Sequence, residues 1–164
     1  MAGLLLVSVA VAAEDPRVST VTASTPHLSV RATVSDIDVS PGKTISIAIQ
    51  VMPKPRMHVY APGGKYRAIA LRLDPQPLVK VHDALYPKAE PYFFRALKEE
   101  VLVYSEPFQL SVDVTVGETT EQQAQLRNRS RLTLKGALEY QACDDRICYL
   151  PTSIPLTWTL KIKR

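Results

Sequence analysis

The chain has 164 residues, 46% hydrophobic and 22% charged, with 20 basic against 16 acidic residues for a formal charge of +4. That length and apolar content suit one domain with a real core and argue against a second. The charge is dispersed, with no basic block beyond the final KIKR and no aromatic residues interleaved with a basic stripe, so it reads as solvated surface and argues against a nucleic-acid partner.

The opening MAGLLLVSVAVAAEDP carries an apolar run from Ala2 to Ala13, with small residues before Glu14 and Asp15, which has the form of an export-signal core and cleavage site. No Lys or Arg precedes the run, which leaves room for an upstream start. A membrane span needs roughly 18 or more apolar residues, and no segment reaches that. The expected division is an export signal at 1–13, a flexible N-terminal segment at 14–26 and one domain at 27–164, in a periplasmic or otherwise exported protein.

From Leu28 onward, period-two alternation dominates. Leu28, Val30, Ala32 and Val34 alternate with polar neighbours; Ile45, Ile47, Ile49 and Val51 follow the turn SPGK; Ile69, Leu71 and Leu73 follow APGGK. Then come Phe108, Leu110, Val112, Val114 and Val116, next Leu132, Leu134, Leu138 and Tyr140, and last Ile154, Leu156, Trp158, Leu160 and Ile162. Each run predicts a strand with one apolar face. The 13 prolines and 6 glycines fall mostly between the runs, and no long segment has the 3.6 period of an amphipathic helix. The pattern predicts an all-β, immunoglobulin-like antiparallel β-sandwich in a single domain. No Cys…Trp…Cys arrangement of the antibody type is present.

Two segments break the alternation. His82 to Glu100 clusters Tyr86, Tyr92, Phe93 and Phe94 among polar and proline positions, and reads as a long loop whose aromatics cover something. Gly117 to Ser130 is polar and reads as a mobile hairpin connection.

Both cysteines lie in YQACDDRICYLP, Tyr140 to Pro151. Exported domains keep disulfides, so a structural staple is one reading of Cys143 and Cys148. A ring this short contributes only about 2 kcal/mol of loop entropy, and short or exposed disulfides are more easily reduced. A redox centre is the second reading. Asp144 and Asp145 disfavour a neighbouring thiolate and Arg146 favours it; Tyr140 and Tyr149 flank the pair and complete its tuning neighbours. A third reading is a periplasmic copper-binding module, with His58 or His82 beside the cysteines or with Met52, Met57 and His58 as soft ligands. The cysteine spacing is not that of a zinc finger. No nucleophile triad, phosphate loop or metalloprotease motif is present.

The cysteine segment, followed by PLTWTL and preceded by VYAPGGKYRAIALRL, YPKAE and EEVLVYSEPFQLSVDV, resembles the N-terminal, immunoglobulin-like periplasmic domain of the thiol:disulfide interchange protein DsbD, the disulfide bond corrector family. The resemblance runs from about His58 to Trp158. It implies a redox-active disulfide that passes electrons from a membrane-embedded thiol reductase to thioredoxin-like periplasmic proteins, including those of disulfide isomerisation and cytochrome c biogenesis. By motif position, Cys148 is the attacking thiol and Cys143 the resolving one; separately, no cofactor beyond the pair is expected, and the domain is expected to be a monomer. It also implies an aromatic cap loop over the cysteines, for which Tyr92, Phe93 and Phe94 are the candidates. Well-known members carry one more residue between their cysteines. The transmembrane and thioredoxin-like portions that accompany the domain are not among these residues, so the expected donor is another polypeptide. Against the carrier stands a non-catalytic interaction module with a structural disulfide.

Overall fold

The computed structural model of the chain describes residues 16–95 and 98–163. The expected export signal at 1–13 lies outside the described residues.

The alternating runs become strands with the expected inward faces. Strands β1 (Ser19–Ser24), β2 (Leu28–Val34), β4 (Thr44–Pro53), β7 (Val79–Val81) and β10 (Phe108–Val116) form one sheet in the order β1-β2-β4-β10-β7. Strands β3 (Asp38–Val39), β6 (Ala70–Leu73), β11 (Arg131–Tyr140) and β13 (Thr152–Ile162) form a second, in the order β3-β13-β11-β6. All pairings are antiparallel except β3 with β13. Ile45, Ile47, Ile49 and Val51 from the first sheet share one buried cluster with Leu134, Leu156, Trp158 and Leu160 from the second. Two sheets joined through a common apolar core are a β-sandwich. Gly42, in the SPGK turn, has φ +89, a backbone state that glycine adopts without cost.

The third sheet runs β12-β5-β9-β8, from β5 (His58–Tyr60), β8 (Glu90–Phe94), β9 (Glu99–Tyr104) and β12 (Ala142–Cys143). Period two splits its side chains between two apolar environments. Val59 and Ala142 belong to the main core, whereas Tyr60 and Cys143 join Phe94, Val101 and Val103 in a second, smaller cluster. This sheet therefore couples the sandwich to the cysteines.

Three expectations change. Ser19–Ser24, within the segment expected to be flexible, pairs with β2 along its whole length, because Val21 and Ala23 gain a place against the core. The segment read as a long aromatic loop contains β8, paired with β9 from Glu90 to Phe94. The polar Gly117–Ser130 connection contains helix α1 (Thr120–Arg127), started by a capping box of Thr119 and Gln122 and anchored by buried Leu126. One buried apolar residue in an eight-residue helix leaves no 3.6 period to detect, although the Thr-x-x-Gln spacing is a helix-start signal.

Candidate functional site

Cys143 and Cys148 are disulfide-bonded, with Cα atoms 4.0 Å apart. Asp144 builds the turn between them. Its backbone N–H donates to Ile147 O at 3.0 Å, and its Oδ1 accepts from the N–H groups of Arg146 and Ile147 at 2.7 and 2.9 Å. A short acidic side chain that turns back on its own backbone is a common way to close so tight a loop. Oδ2 accepts from the Tyr149 hydroxyl at 2.9 Å. The Ile147 and Arg146 amides and the Tyr149 hydroxyl lower the Asp144 carboxyl to about 2.

The two sulfurs are not equivalent to an incoming molecule. Cys143 is 0% exposed, while Cys148 is half-buried. The Tyr60 hydroxyl lies 3.1 Å from Cys148 Sγ and 3.2 Å from Cys143 Sγ; disulfide sulfurs have no proton, so the hydroxyl is the donor. Tyr60 stacks on Tyr66 with centroids 4.5 Å apart, and the Tyr66 hydroxyl bonds Glu99, which also pairs with Lys65. Burial and then Glu99 push the Tyr60 phenol above its ordinary value, and Lys65 opposes them.

On β8, alternation sends Tyr92 and Phe94 to one face and Phe93 to the other. Phe94 is buried in the cysteine cluster and Tyr92 packs against it. Phe93 is 58% exposed. The three aromatics expected to act together over the cysteines are therefore divided, two beside the pair and one toward solvent. The Tyr92 hydroxyl donates to Asp145 Oδ1 at 3.2 Å, and Arg56 Nη2 donates to Asp145 Oδ2 at 3.1 Å. Arg56 and then Tyr92 lower the Asp145 carboxyl, while burial and then that carboxylate raise the Tyr92 phenol.

The expected tuning residues divide in the same way. Asp144, Asp145 and Tyr149 hold the loop. Arg146 is exposed, and the guanidinium that meets Asp145 comes from Arg56. Tyr140 sits in the main core, its hydroxyl 2.8 Å from Thr25 Oγ1 and 3.3 Å from His27 Nδ1. It ties the N-terminal segment to β11 and stands outside the cysteine cluster.

Of the residues weighed for copper, His58 is buried beside Cys143 and His82 bonds Thr115 at 2.7 Å on the first sheet. Among the described residues, no three or more His, Cys, Asp or Glu side chains gather to hold a metal ion, and both sulfurs are taken up in the disulfide. Sequence reasoning missed Tyr60 and considered His58 only as a metal ligand. Their spacing in HVY was the available signal, since positions two apart on a strand share a face.

The fold and site together are an immunoglobulin-like sandwich that carries a disulfide-bonded cysteine pair in a loop beside an aromatic hairpin. The family model described as "Thiol:disulfide interchange protein DsbD, N-terminal" matches residues 25–156, and the chain belongs to that family. Among solved structures, the N-terminal periplasmic domain of ScsB from Proteus mirabilis is similar at 17% identity and TM-score 0.55, covering 83% of this chain. This chain spans 49% of that one. The reduced DsbD N-terminal domain of Neisseria meningitidis is similar at 15% identity and TM-score 0.48, over 71% of this chain and 82% of that one. No curated protein matches. Among the described residues, no helix is long and apolar enough to cross a membrane.

Proposed function

We propose that this domain is a periplasmic electron carrier in which Cys143 and Cys148 cycle between disulfide and dithiol. The Cys148 thiolate attacks the disulfide of a thioredoxin-like acceptor and forms a mixed disulfide. Cys143 then attacks Cys148 Sγ, which regenerates the intramolecular disulfide and releases the acceptor as a dithiol carrying two electrons. A membrane-embedded thiol reductase, acting through a thioredoxin-like protein, resupplies the electrons. The cysteines are the only redox group this requires.

One observation carries the order of events: Cys143 is fully buried while Cys148 is half-buried, so an acceptor disulfide reaches Cys148 first. Family membership supports the reaction class. Asp145 and Tyr92 close one side of the loop, consistent with a shielded pair that exchanges only with a fitted partner.

The test combines a trap and a potential. Cys143→Ala leaves Cys148 unable to be resolved, so a mixed disulfide with a thioredoxin-like protein accumulates; Cys148→Ala accumulates none. The wild-type potential should lie between about −270 and −180 mV, the range of thioredoxins and disulfide isomerases. A potential below about −300 mV together with no trapped species identifies a structural disulfide in an interaction module.

A further inference from the structure

The buried group that this mechanism leaves unused is His58. Its side chain is 3% exposed, and its Nε2 is buried with no hydrogen-bond partner among the described residues. The other such atom, Trp158 Nε1, belongs to the main core and meets no reactive group. His58 is placed differently. It stands directly opposite Cys143 in the antiparallel pairing of β5 with β12, and opposed residues of such a pair project to the same face with Cβ atoms about 4.5–5.5 Å apart. Phe94 confirms the shared face, because it packs in the cluster of Cys143 and lies edge-on to the His58 ring at 6.3 Å. The Tyr92 ring covers the imidazole from β8 at 4.4 Å.

We propose that His58 Nε2 is the proton acceptor for the buried Cys143 thiol when Cys143 resolves the mixed disulfide. This rests on the exchange reading above. In the disulfide form neither sulfur carries a proton, so the ring nitrogen has nothing to accept. Reduction puts a proton on each sulfur, and in the mixed disulfide, where Cys148 is bonded to the acceptor, the Cys143 S–H is the donor that the pair retains. Cys143 is sealed from solvent, so bulk water is a poor base for it. His58 Nε2 takes the proton, the Cys143 thiolate attacks Cys148 Sγ, and the Cys143–Cys148 bond forms. The bond from Cys148 to the acceptor sulfur breaks, and that sulfur leaves as a thiolate with the electron pair. The imidazolium returns its proton to the departing thiolate or to solvent as the acceptor separates.

The surroundings suit this role. Burial lowers the affinity of His58 for a proton, and Asp145 and Asp144 oppose that effect, so the ring is neutral near pH 7 with a lone pair to offer, yet has carboxylates near enough to steady an imidazolium. The groups facing it are the Tyr92 phenol on β8, Asp144 and Asp145 in the cysteine loop with Arg56 bound to Asp145, and the Tyr60 phenol two residues along β5. The Tyr60 hydroxyl points at both sulfurs; the phenol holds its proton far above neutral pH and cannot serve as the base.

The experiment uses the whole reduced protein and one equivalent of dithiobis(nitrobenzoate), followed by stopped-flow absorbance across pH. Attack by Cys148 releases the first nitrothiobenzoate, and resolution by Cys143 releases the second. In His58→Phe, which keeps an aromatic ring between Tyr92 and Phe94, the second release should slow about tenfold or more at pH 7 while the first is unchanged. The deficit of His58→Phe should shrink as pH rises, because hydroxide can then take the thiol proton in place of the imidazole. An unchanged second release, or one slowed equally at every pH, overturns the proposal. Should His58→Phe fail to fold, nitrogen NMR of the wild-type imidazole decides: the Nε2 resonance should move between the oxidised and reduced forms, and an identical resonance in both overturns the proposal. If the wild-type thiols release no nitrothiobenzoate at all, the exchange reading itself fails; normal release by both wild-type thiols, with His58→Phe indistinguishable from wild type, removes only His58.

Discussion

Asp145 and Tyr92 join the cysteine loop to strand β8 by a hydrogen bond of 3.2 Å from the phenol to Oδ1. The other oxygen of the same carboxylate is held by Arg56 at 3.1 Å. A residue between the two cysteines thus ties down the aromatic hairpin beside them.

Tyr92→Phe removes that tie and keeps the ring against His58. The reduced pair is expected to oxidise about two- to fivefold faster in glutathione disulfide, as one surface hydrogen bond is lost. Thiol counting over time measures it, and an unchanged rate would show that the tie does not control access.

Phe94 and Phe93 should behave oppositely although they are adjacent. Phe94→Ala empties part of the cysteine cluster, costs about 3–5 kcal/mol of stability and accelerates oxidation of the pair. Phe93→Ala, on the solvent face, should leave both the unfolding midpoint and the oxidation rate near wild type. Equal acceleration by both would mean that the hairpin turns over when the pair is reduced.

Tyr60→Phe deletes the only hydroxyl within hydrogen-bonding distance of both sulfurs among the described residues. A hydrogen bond to a thiolate is stronger than one to a disulfide, so its loss should slow attack by Cys148 about tenfold at neutral pH and move the rate profile to higher pH. Alkylation kinetics of the reduced protein give the answer, and a superimposable profile would remove Tyr60 from the chemistry.

Asp144 supplies a pH dependence whose sign follows from its environment. Its carboxyl is lowered from 3.8 to about 2 by the amides and hydroxyl it accepts from. The stabilisation it brings is full above its unfolded value and is lost as pH falls through about 2. The amide proton shifts of Arg146 and Ile147 should therefore titrate near pH 2; a midpoint near 4 would mean that the turn is not held by this carboxylate.

Gly136 tests the fold away from the site. A Cβ there would lie 2.3 Å from Arg72 O and 2.9 Å from Leu73 Cα, on the neighbouring strand. Gly136→Ala must push β6 from β11, and a loss of about 1–3 kcal/mol is expected in denaturant unfolding. An unchanged midpoint would show that this edge of the second sheet yields freely.

Strands β2, β4, β6, β10, β11 and β13 of the sandwich were legible because strand formation is read locally: Ile45 to Val51 and Ile154 to Ile162 carry their period wherever the partner lies, whereas β1, β3 and β7 carry too little alternation of their own. Helix α1 escaped because a single buried leucine makes no period, and β8 because Pro91 and adjacent Phe93 and Phe94 obscure the alternation. The cysteine segment and its family resemblance were legible, but the surroundings of the pair were only partly so. Arg146, next to Asp145 in sequence, points to solvent, and Arg56 takes its place from 89 residues away.

By itself the sequence determined an all-β domain, its inward faces, the position of the cysteine pair and the family to which it belongs, since alternation and a contiguous motif are properties of neighbouring residues. Only the tertiary structure decided that Cys143 is sealed and Cys148 reachable, that Tyr60 meets both sulfurs across 83 and 88 residues, and that His58 stands opposite Cys143. Those relations depend on the pairing of β5 with β12 and β9, and the register between strands distant in the chain is chosen by how two apolar clusters fill, which no local pattern records.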